Sequence, residues 1–116
     1  MREIEAIMRV IVGAALSDGH ADSRELSRIR ILADAVGAKK VMNAVMTDVH
    51  RHQGQLNTTA QVIAWAQPAA ARLSTADQQT RFLAACAIDR VIKEDGRLAA
   101  DESTYRGALL AFIGKE

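Results

Sequence analysis

The sequence predicts an all-α fold, a compact bundle of about six or seven helices that form one domain over residues 1–116. Hydrophobic residues make up 49% of the chain but aromatic residues only 3%, so small aliphatic side chains must form the core. One proline and seven glycines leave few points at which a helix would break. Apolar residues also recur at spacings of three and four, which is the period of one helix face.

Three helices are predicted in the first half of the chain, over residues 3–17, 23–36 and 39–52. Two early glutamates stand where a signal peptide would be basic, so the first segment is interpreted as a helix of the fold. The second helix is expected to end at Gly37, because glycine enters the left-handed region without strain. The apolar stripe of the first helix consists of Ile4, Ile7, Met8, Ile11, Val12 and Ala15.

Three more helices are predicted in the second half, over residues 58–73, 76–94 and 100–113. Pro68 is expected either to bend the first of these or to end it near residue 66, because proline removes a helical N–H and crowds the preceding turn. Trp65 is interpreted as a packing anchor for the same segment.

Hydroxyl and amide side chains indicate where the fourth and fifth helices begin. Asn57 or Thr58 is expected to cap the fourth helix, and Ser74 or Thr75 the fifth. The lone cysteine has no partner for a disulfide or metal site and is interpreted as a small buried hydrophobic residue. The predicted buried face of the fifth helix consists of Phe82, Ala85, Cys86, Ile88 and Ile92.

The charge balance and hydropathy argue against several classes of protein. Fifteen basic and fourteen acidic residues give a net charge of +1. The charges form no long run of one sign, such as the cluster of basic residues that a nucleic-acid surface needs. No stretch approaches the roughly 18 consecutive apolar residues of a membrane span. We therefore expect a cytoplasmic protein that binds no nucleic acid and has no transmembrane segment.

The sequence contains no recognisable catalytic motif. A glycine-rich phosphate loop, a His-Glu-x-x-His pair and a serine elbow are all missing. His50 and His52 point about 200° apart on a helix, so they would not bind one ion together. These observations predict a protein that is not an enzyme.

An Asp-Gly pair followed six residues later by a glutamate occurs twice. The residues are Asp18, Gly19 and Glu25 in one copy and Asp95, Gly96 and Glu102 in the other. The flanks align without a gap and pair Ile11 with Ile88, Leu32 with Leu109, and Gly37 with Gly114. The pattern predicts two related helix–loop–helix units that pack about an approximate two-fold axis.

One interpretation of the glutamates is local. Asp22 would cap the second helix, and Glu25 would return a hydrogen bond to the amide of Asp22, the reciprocal arrangement called a capping box. The second copy has Ala99 at the cap position, so Glu102 lacks a reciprocal partner. Loop fixing and capping would then account for the motif without any ligand.

The other interpretation is a divalent cation, calcium or another. Each copy has the second half of an EF-hand signature but lacks the earlier oxygen ligands, which excludes an ordinary EF-hand. A site would therefore have to pool both loops, with Asp18, Glu25, Asp95 and Glu102 as the metal ligands. The capping and metal interpretations both remain open at this point.

The duplicated units resemble those of the TerB-like family, which is associated with tellurite resistance. The matching stretches are LSDGHADSRELSRIRILADAVG and KEDGRLAADESTYRGALLAFIG. The resemblance implies an all-helical bundle, a metal role for the four acidic residues, and work in stress response at the inner face of the bacterial membrane. The chain departs from the family pattern at Ser17, Glu94 and Ala99.

The resemblance favours a non-enzymatic stress or tellurite-resistance accessory protein. Such a protein would act through protein contacts, with a divalent cation at the paired acidic loops, in the cytoplasm or on the periphery of the inner membrane. The alternative is a scaffold or oligomerisation module that has no metal function. The sequence leaves the oligomeric state open.

Overall fold

The computed structural model describes residues 2–16, 23–35, 37–93 and 100–113. These residues form six α-helices and a 3₁₀ turn, with no strand among them, which confirms the all-helical class. The helices begin and end close to their predicted positions. Their bounds are α1 (Glu3–Leu16), α2 (Ser23–Ala35), α3 (Lys39–Arg51), α4 (Thr59–Leu73), α5 (Gln78–Lys93) and α6 (Ala100–Ile113), and the 3₁₀ turn spans Gln53–Gln55.

α1 is the central helix of the bundle. Every residue from Val10 to Leu16 is buried, and α1 packs against each of the other five helices. α4 packs against both α1 and α6 and forms the second main layer. A helix that is surrounded by others must be apolar on nearly all sides, and within residues 6–16 only Arg9 interrupts the apolar run. The radius of gyration, 12.6 Å, is close to the roughly 13 Å of a compact chain of this length.

A close contact between α1 and α6 depends on a glycine. The Tyr105 side chain is fully buried, and its hydroxyl donates a hydrogen bond to the Val10 carbonyl at 2.7 Å. A Cβ at Gly13 would lie 2.9 Å from Tyr105 Cζ and closer still to the hydroxyl oxygen. Because only glycine leaves room for the ring, Gly13 allows α6 to sit directly on α1. Burial raises the pKa of Tyr105 well above its usual value.

The predicted glycine end of α2 is confirmed. Gly37 has a φ of +76°, and its amide donates to the Asp34 carbonyl at 3.2 Å. The Ala38 amide donates to the Ala33 carbonyl at 2.7 Å. These two bonds form a Schellman motif, in which the left-handed glycine lets the chain satisfy the last carbonyls of a helix.

Of the two residues expected to cap α4, Thr58 is the cap. Its hydroxyl accepts a hydrogen bond from the Gln61 amide at 3.2 Å. The Gln61 side chain accepts in return from the Thr58 amide at 3.1 Å. This reciprocal capping box fixes where the chain leaves the 3₁₀ turn and begins α4.

The predicted cap of α5 was wrong. Ser74 and Thr75 donate their hydroxyls backwards, to carbonyls in the last turn of α4, so neither is available as a cap. The cap is Asp77, whose Oδ1 accepts from the Thr80 amide at 2.7 Å. Hydrogen bonding to the Thr80 amide is the largest cause of a lowered pKa at Asp77. Serine and threonine hydroxyls often donate to a nearby helix carbonyl in this way, which explains why the cap lies at Asp77 and not at Ser74 or Thr75.

Pro68 lies inside one uninterrupted helix, α4, which corresponds to the continuous alternative of the two that the sequence left open. The carbonyl that loses its amide partner belongs to Ala64, four residues earlier. Both Ala64 and Pro68 are exposed, so water can reach this carbonyl and the helix continues.

The predicted buried face of α5 was partly wrong. Ala85 and Ile88 are buried as predicted, but Phe82 is 52% exposed and Cys86 is also exposed. Ala84, which was not predicted, is buried, and the side chain of Ile92 lies outside the described residues. Apolar residues occur all around this helix, so their spacing does not single out one face. The buried face combines two alanines, which allow close helix packing, with Ile88, whereas Phe82 and Leu83 lie outside it.

The two predicted repeat units differ in their packing. Ile11 and Ile88, which the alignment pairs, are both buried. Arg28 and Tyr105 occupy paired positions as well, yet Arg28 is exposed whereas Tyr105 is fully buried. α6 packs against α4 as well as α1 and α5, whereas α2 packs against α1 and α3. The two hairpins thus have different neighbours, and their approximate two-fold symmetry stays a prediction.

Candidate functional site

The four residues predicted to bind metal lie at the two Asp-Gly corners. Asp18 and Asp95 fall outside the described residues. Glu25 and Glu102 are each the third residue of a helix, α2 and α6 respectively, and their side chains are also outside the description. A carboxylate in the first turn of a helix is favoured by the helix dipole, whichever further role it has.

The described residues offer no other metal centre. No group of three or more histidine, cysteine, aspartate or glutamate side chains converges within the part of the chain that the structure describes. His50 lies in the last turn of α3, and His52 ends that helix.

A polar cluster that sequence reasoning missed lies where α1, α3 and α4 meet. Asp48 Oδ2 accepts a hydrogen bond from Arg9 Nη1 at 2.7 Å and another from Trp65 Nε1 at 2.9 Å. Arg9 Nε also donates to Glu5 Oε2 at 3.0 Å, and the guanidinium lies 5.4 Å from the centre of the Trp65 ring. We call Arg9, Asp48 and Trp65 the Asp48 cluster.

Electrostatics keep the Asp48 cluster charged. Burial acts to raise the pKa of Asp48, but hydrogen bonds from Arg9 and Trp65 outweigh it, so the pKa lies below its usual value. Asp48 is therefore ionised at neutral pH and only accepts hydrogen bonds. A general acid or base needs a pKa near the working pH, so this arrangement is suited to joining three helices rather than to proton transfer.

The Asp48 cluster lines one side of an open cleft of about 630 Å³. His52 Nδ1 lies 2.9 Å from the Asp48 backbone carbonyl and 3.6 Å from its Oδ1. The rest of the lining is mixed, with the apolar residues Leu56, Ala64 and Pro68 beside the polar residues Gln55 and Gln61. The described walls present no nucleophile that is paired with a base.

No local pattern in the sequence could have revealed the Asp48 cluster. Arg9 and Asp48 are 39 residues apart, and Asp48 and Trp65 are 17 apart, so only the packed helices bring them together. The available signal was indirect: Arg9 is the one charge within an apolar run, and a partly buried tryptophan usually finds an acceptor for its N–H.

A smaller groove, of about 220 Å³, separates α2 from α3. Arg30, Ile31 and Asp34 line it from α2, and Lys39, Met42 and Asn43 from α3. Ile31 is 70% exposed, whereas Met42 is buried and only 2% exposed. The groove therefore combines basic side chains with an exposed aliphatic side chain and a buried apolar one.

An exposed stripe on α5 is the third surface feature. Phe82 and Leu83 are 52% and 57% exposed, and Cys86, one turn further on, is exposed as well. Residues three and four apart share a helix face, so these side chains form one apolar surface. We call Phe82, Leu83 and Cys86 the α5 stripe.

Comparison of the chain with protein-family models, with curated proteins and with solved structures found no match. Among the described residues, no helix has the length and apolar character needed to cross a membrane. The resemblance to the TerB-like family therefore depends on the duplicated motif and on the helices that surround it.

Proposed function

We propose that the chain is a TerB-like, non-enzymatic accessory domain of stress response or tellurite resistance that acts through protein contacts in the cytoplasm or at the inner membrane face. We also propose that Asp18, Glu25, Asp95 and Glu102 hold a divalent cation. The observation that carries the proposal is the doubled Asp-Gly motif, in which each glutamate is the third residue of the helix that follows.

The described helices support a common origin for the two corners. The first corner lies between Leu16 at the end of α1 and Ser23 at the start of α2. The second lies between Lys93 and Ala100, which are the positions that the alignment pairs with those two residues. α1 and α5, the helices that lead into the corners, also pack against each other.

A cation would relieve a specific electrostatic problem if the corners meet. Four carboxylates at close range repel one another unless nearby positive charge neutralises them. Calcium takes about six to eight oxygen ligands, so backbone carbonyls and water would have to complete the coordination that four side chains begin.

The test is titration of the protein with calcium, magnesium and zinc, followed by calorimetry and by the melting temperature. An ion at 100 times its dissociation constant should stabilise the fold by about 2.7 kcal/mol. The double variant Glu25→Gln/Glu102→Gln should lose both the heat and the shift. Asp34→Asn, an exposed carboxylate on α2, is the matched control and should keep them.

Two outcomes would contradict the cation proposal. One is the absence of heat and of any melting shift at millimolar concentrations of all three ions. The other is a loss of stability in Glu25→Gln of about 0.5–2 kcal/mol that is the same with and without ion, since this is the result of losing a helix cap alone.

The α5 stripe favours a second candidate, the oligomerisation module. Exposed apolar side chains on one helix face commonly mark a protein interface. If two copies meet there, sedimentation should show a mass above that of the 12.6 kDa monomer, and Leu83→Glu should return the protein to the monomer. Ile31→Ser, which removes an exposed aliphatic side chain from a different surface, should leave the assembly intact. A wild-type protein that is monomeric at high concentration would rule this candidate out.

A further inference from the structure

We propose that the groove between α2 and α3 is a docking site for an acidic segment of a partner protein that carries an aliphatic side chain. The inference rests on the proposed function, because it assigns a surface to the protein contacts which that function requires. Arg30 and Lys39 face the groove from opposite helices. A partner carboxylate between them would be attracted from both sides.

The charge around the groove favours an acidic ligand. Arg30, Lys39 and Lys40 are exposed, and Asp34 is the acidic side chain in the groove wall. Among the described residues, neither hydrogen bonds nor ion pairs engage the side chains of these three basic residues. By contrast, Arg9 is held by Glu5 and Asp48. Exposed cations without partners can accept incoming carboxylates without first losing a contact within the protein.

The apolar part of the groove gives the second requirement. Ile31 is 70% exposed beside Arg30, whereas Met42 on the facing helix is buried and only 2% exposed. Binding sites commonly combine a central apolar contact with a charged rim. A leucine or isoleucine of the partner could cover Ile31 while neighbouring glutamates meet the basic side chains.

The shape of the groove favours a protein segment over a membrane or nucleic acid. A volume of about 220 Å³ is large enough for side chains, whereas a lipid surface is broad and would meet the rim without entering. Asp34 stands in the wall and would repel closely spaced phosphates. A peptide can place its acidic residues away from Asp34 and its aliphatic residue beside Ile31.

Fluorescence anisotropy with a fluorescein-labelled peptide, Glu-Glu-Leu-Glu-Glu-Leu-Glu-Glu, tests the proposal on the whole chain. Arg30→Glu should weaken binding about tenfold or more, and Asp34→Asn should strengthen it about threefold, because each changes the charge that faces the peptide. Ile31→Ser should also weaken binding. Arg90→Glu makes the same charge reversal at an exposed position on α5 and should change affinity less than about twofold.

The proposal is overturned if the peptide does not bind, if a version with glutamine in place of glutamate binds equally well, or if Arg30→Glu and Arg90→Glu have equal effects. It is also overturned if vesicles containing phosphatidylglycerol or a DNA duplex bind through Arg30 while the peptide does not. Cation titration of Arg30→Glu separates this result from the proposed function. A variant that no longer binds the peptide but still responds to the ion has lost only the interaction at the groove.

Discussion

Replacing Gly13 with alanine is expected to lower the free energy of unfolding by about 2–4 kcal/mol. Alanine is the better helix former by about 1 kcal/mol, but its Cβ would overlap the Tyr105 ring. The ring cannot easily move, because it is fully buried and its hydroxyl is bonded to the Val10 carbonyl. Urea unfolding followed by far-UV circular dichroism measures the loss.

Gly107 provides the matched control for this substitution. It lies in α6, is exposed, and a Cβ there would meet no atom within 4 Å. Gly107→Ala should therefore stabilise the protein by about 0.5–1 kcal/mol. Tyr105→Phe removes the atom nearest to the new Cβ, so the double variant with Gly13→Ala should lose less stability than the two single variants summed. Equal effects at Gly13 and Gly107 would show that the close contact does not constrain the fold.

Replacing Asp48 with alanine is expected to lower the free energy of unfolding by about 2–3 kcal/mol. The substitution removes the shared acceptor of the Arg9 and Trp65 donors. The side chains of Arg9 and Asp48 are only 16% and 18% exposed, so water replaces the lost bonds poorly. The chain contains one tryptophan, and its fluorescence during urea unfolding should report both the lost stability and the altered cluster.

Asp34→Ala is the control for Asp48→Ala. Asp34 is an exposed aspartate on α2, and surface substitutions of this kind usually change stability by less than about 0.5 kcal/mol. If the two variants lose the same amount, the Asp48 cluster does not hold the three helices together.

The contribution of Asp48 should also depend on pH. Because its pKa is lowered in the folded protein, this contribution is complete above the unfolded value, about 4, and is lost as pH falls through the lower folded value. The difference in unfolding free energy between the wild type and Asp48→Asn should therefore be largest near neutral pH and shrink below about pH 4. A difference that stays constant to pH 2 would contradict the assigned charge.

Local chemistry explains why so much of the helical framework could be predicted. Apolar spacing located α1, while Gly37 and Thr58 marked helix ends through interactions within a few residues. The face of α5 could not be assigned, because apolar residues surround the helix and its packing against α1 and α6 decides which side is buried. Cys86 was misjudged for the same reason.

The candidate sites also differ in whether their residues are close together in the sequence. The Asp-Gly motif could be found because all of its residues lie close together in each copy. The Asp48 cluster joins three helices across long separations, and the groove at Ile31 depends on how α2 sits against α3. Such features follow from tertiary packing, and a single sequence contains no short-range pattern that specifies them.

The hydrogen bond between Tyr105 and Val10 joins residues that are 95 positions apart. During synthesis α1 leaves the ribosome before α6, so the side of α1 that α6 covers stays open until Tyr105 has emerged. Contacts over such separations slow folding and leave apolar surface open in the meantime. The part of α1 around Val10 and Gly13 is therefore expected to be among the last surfaces of the bundle to be covered.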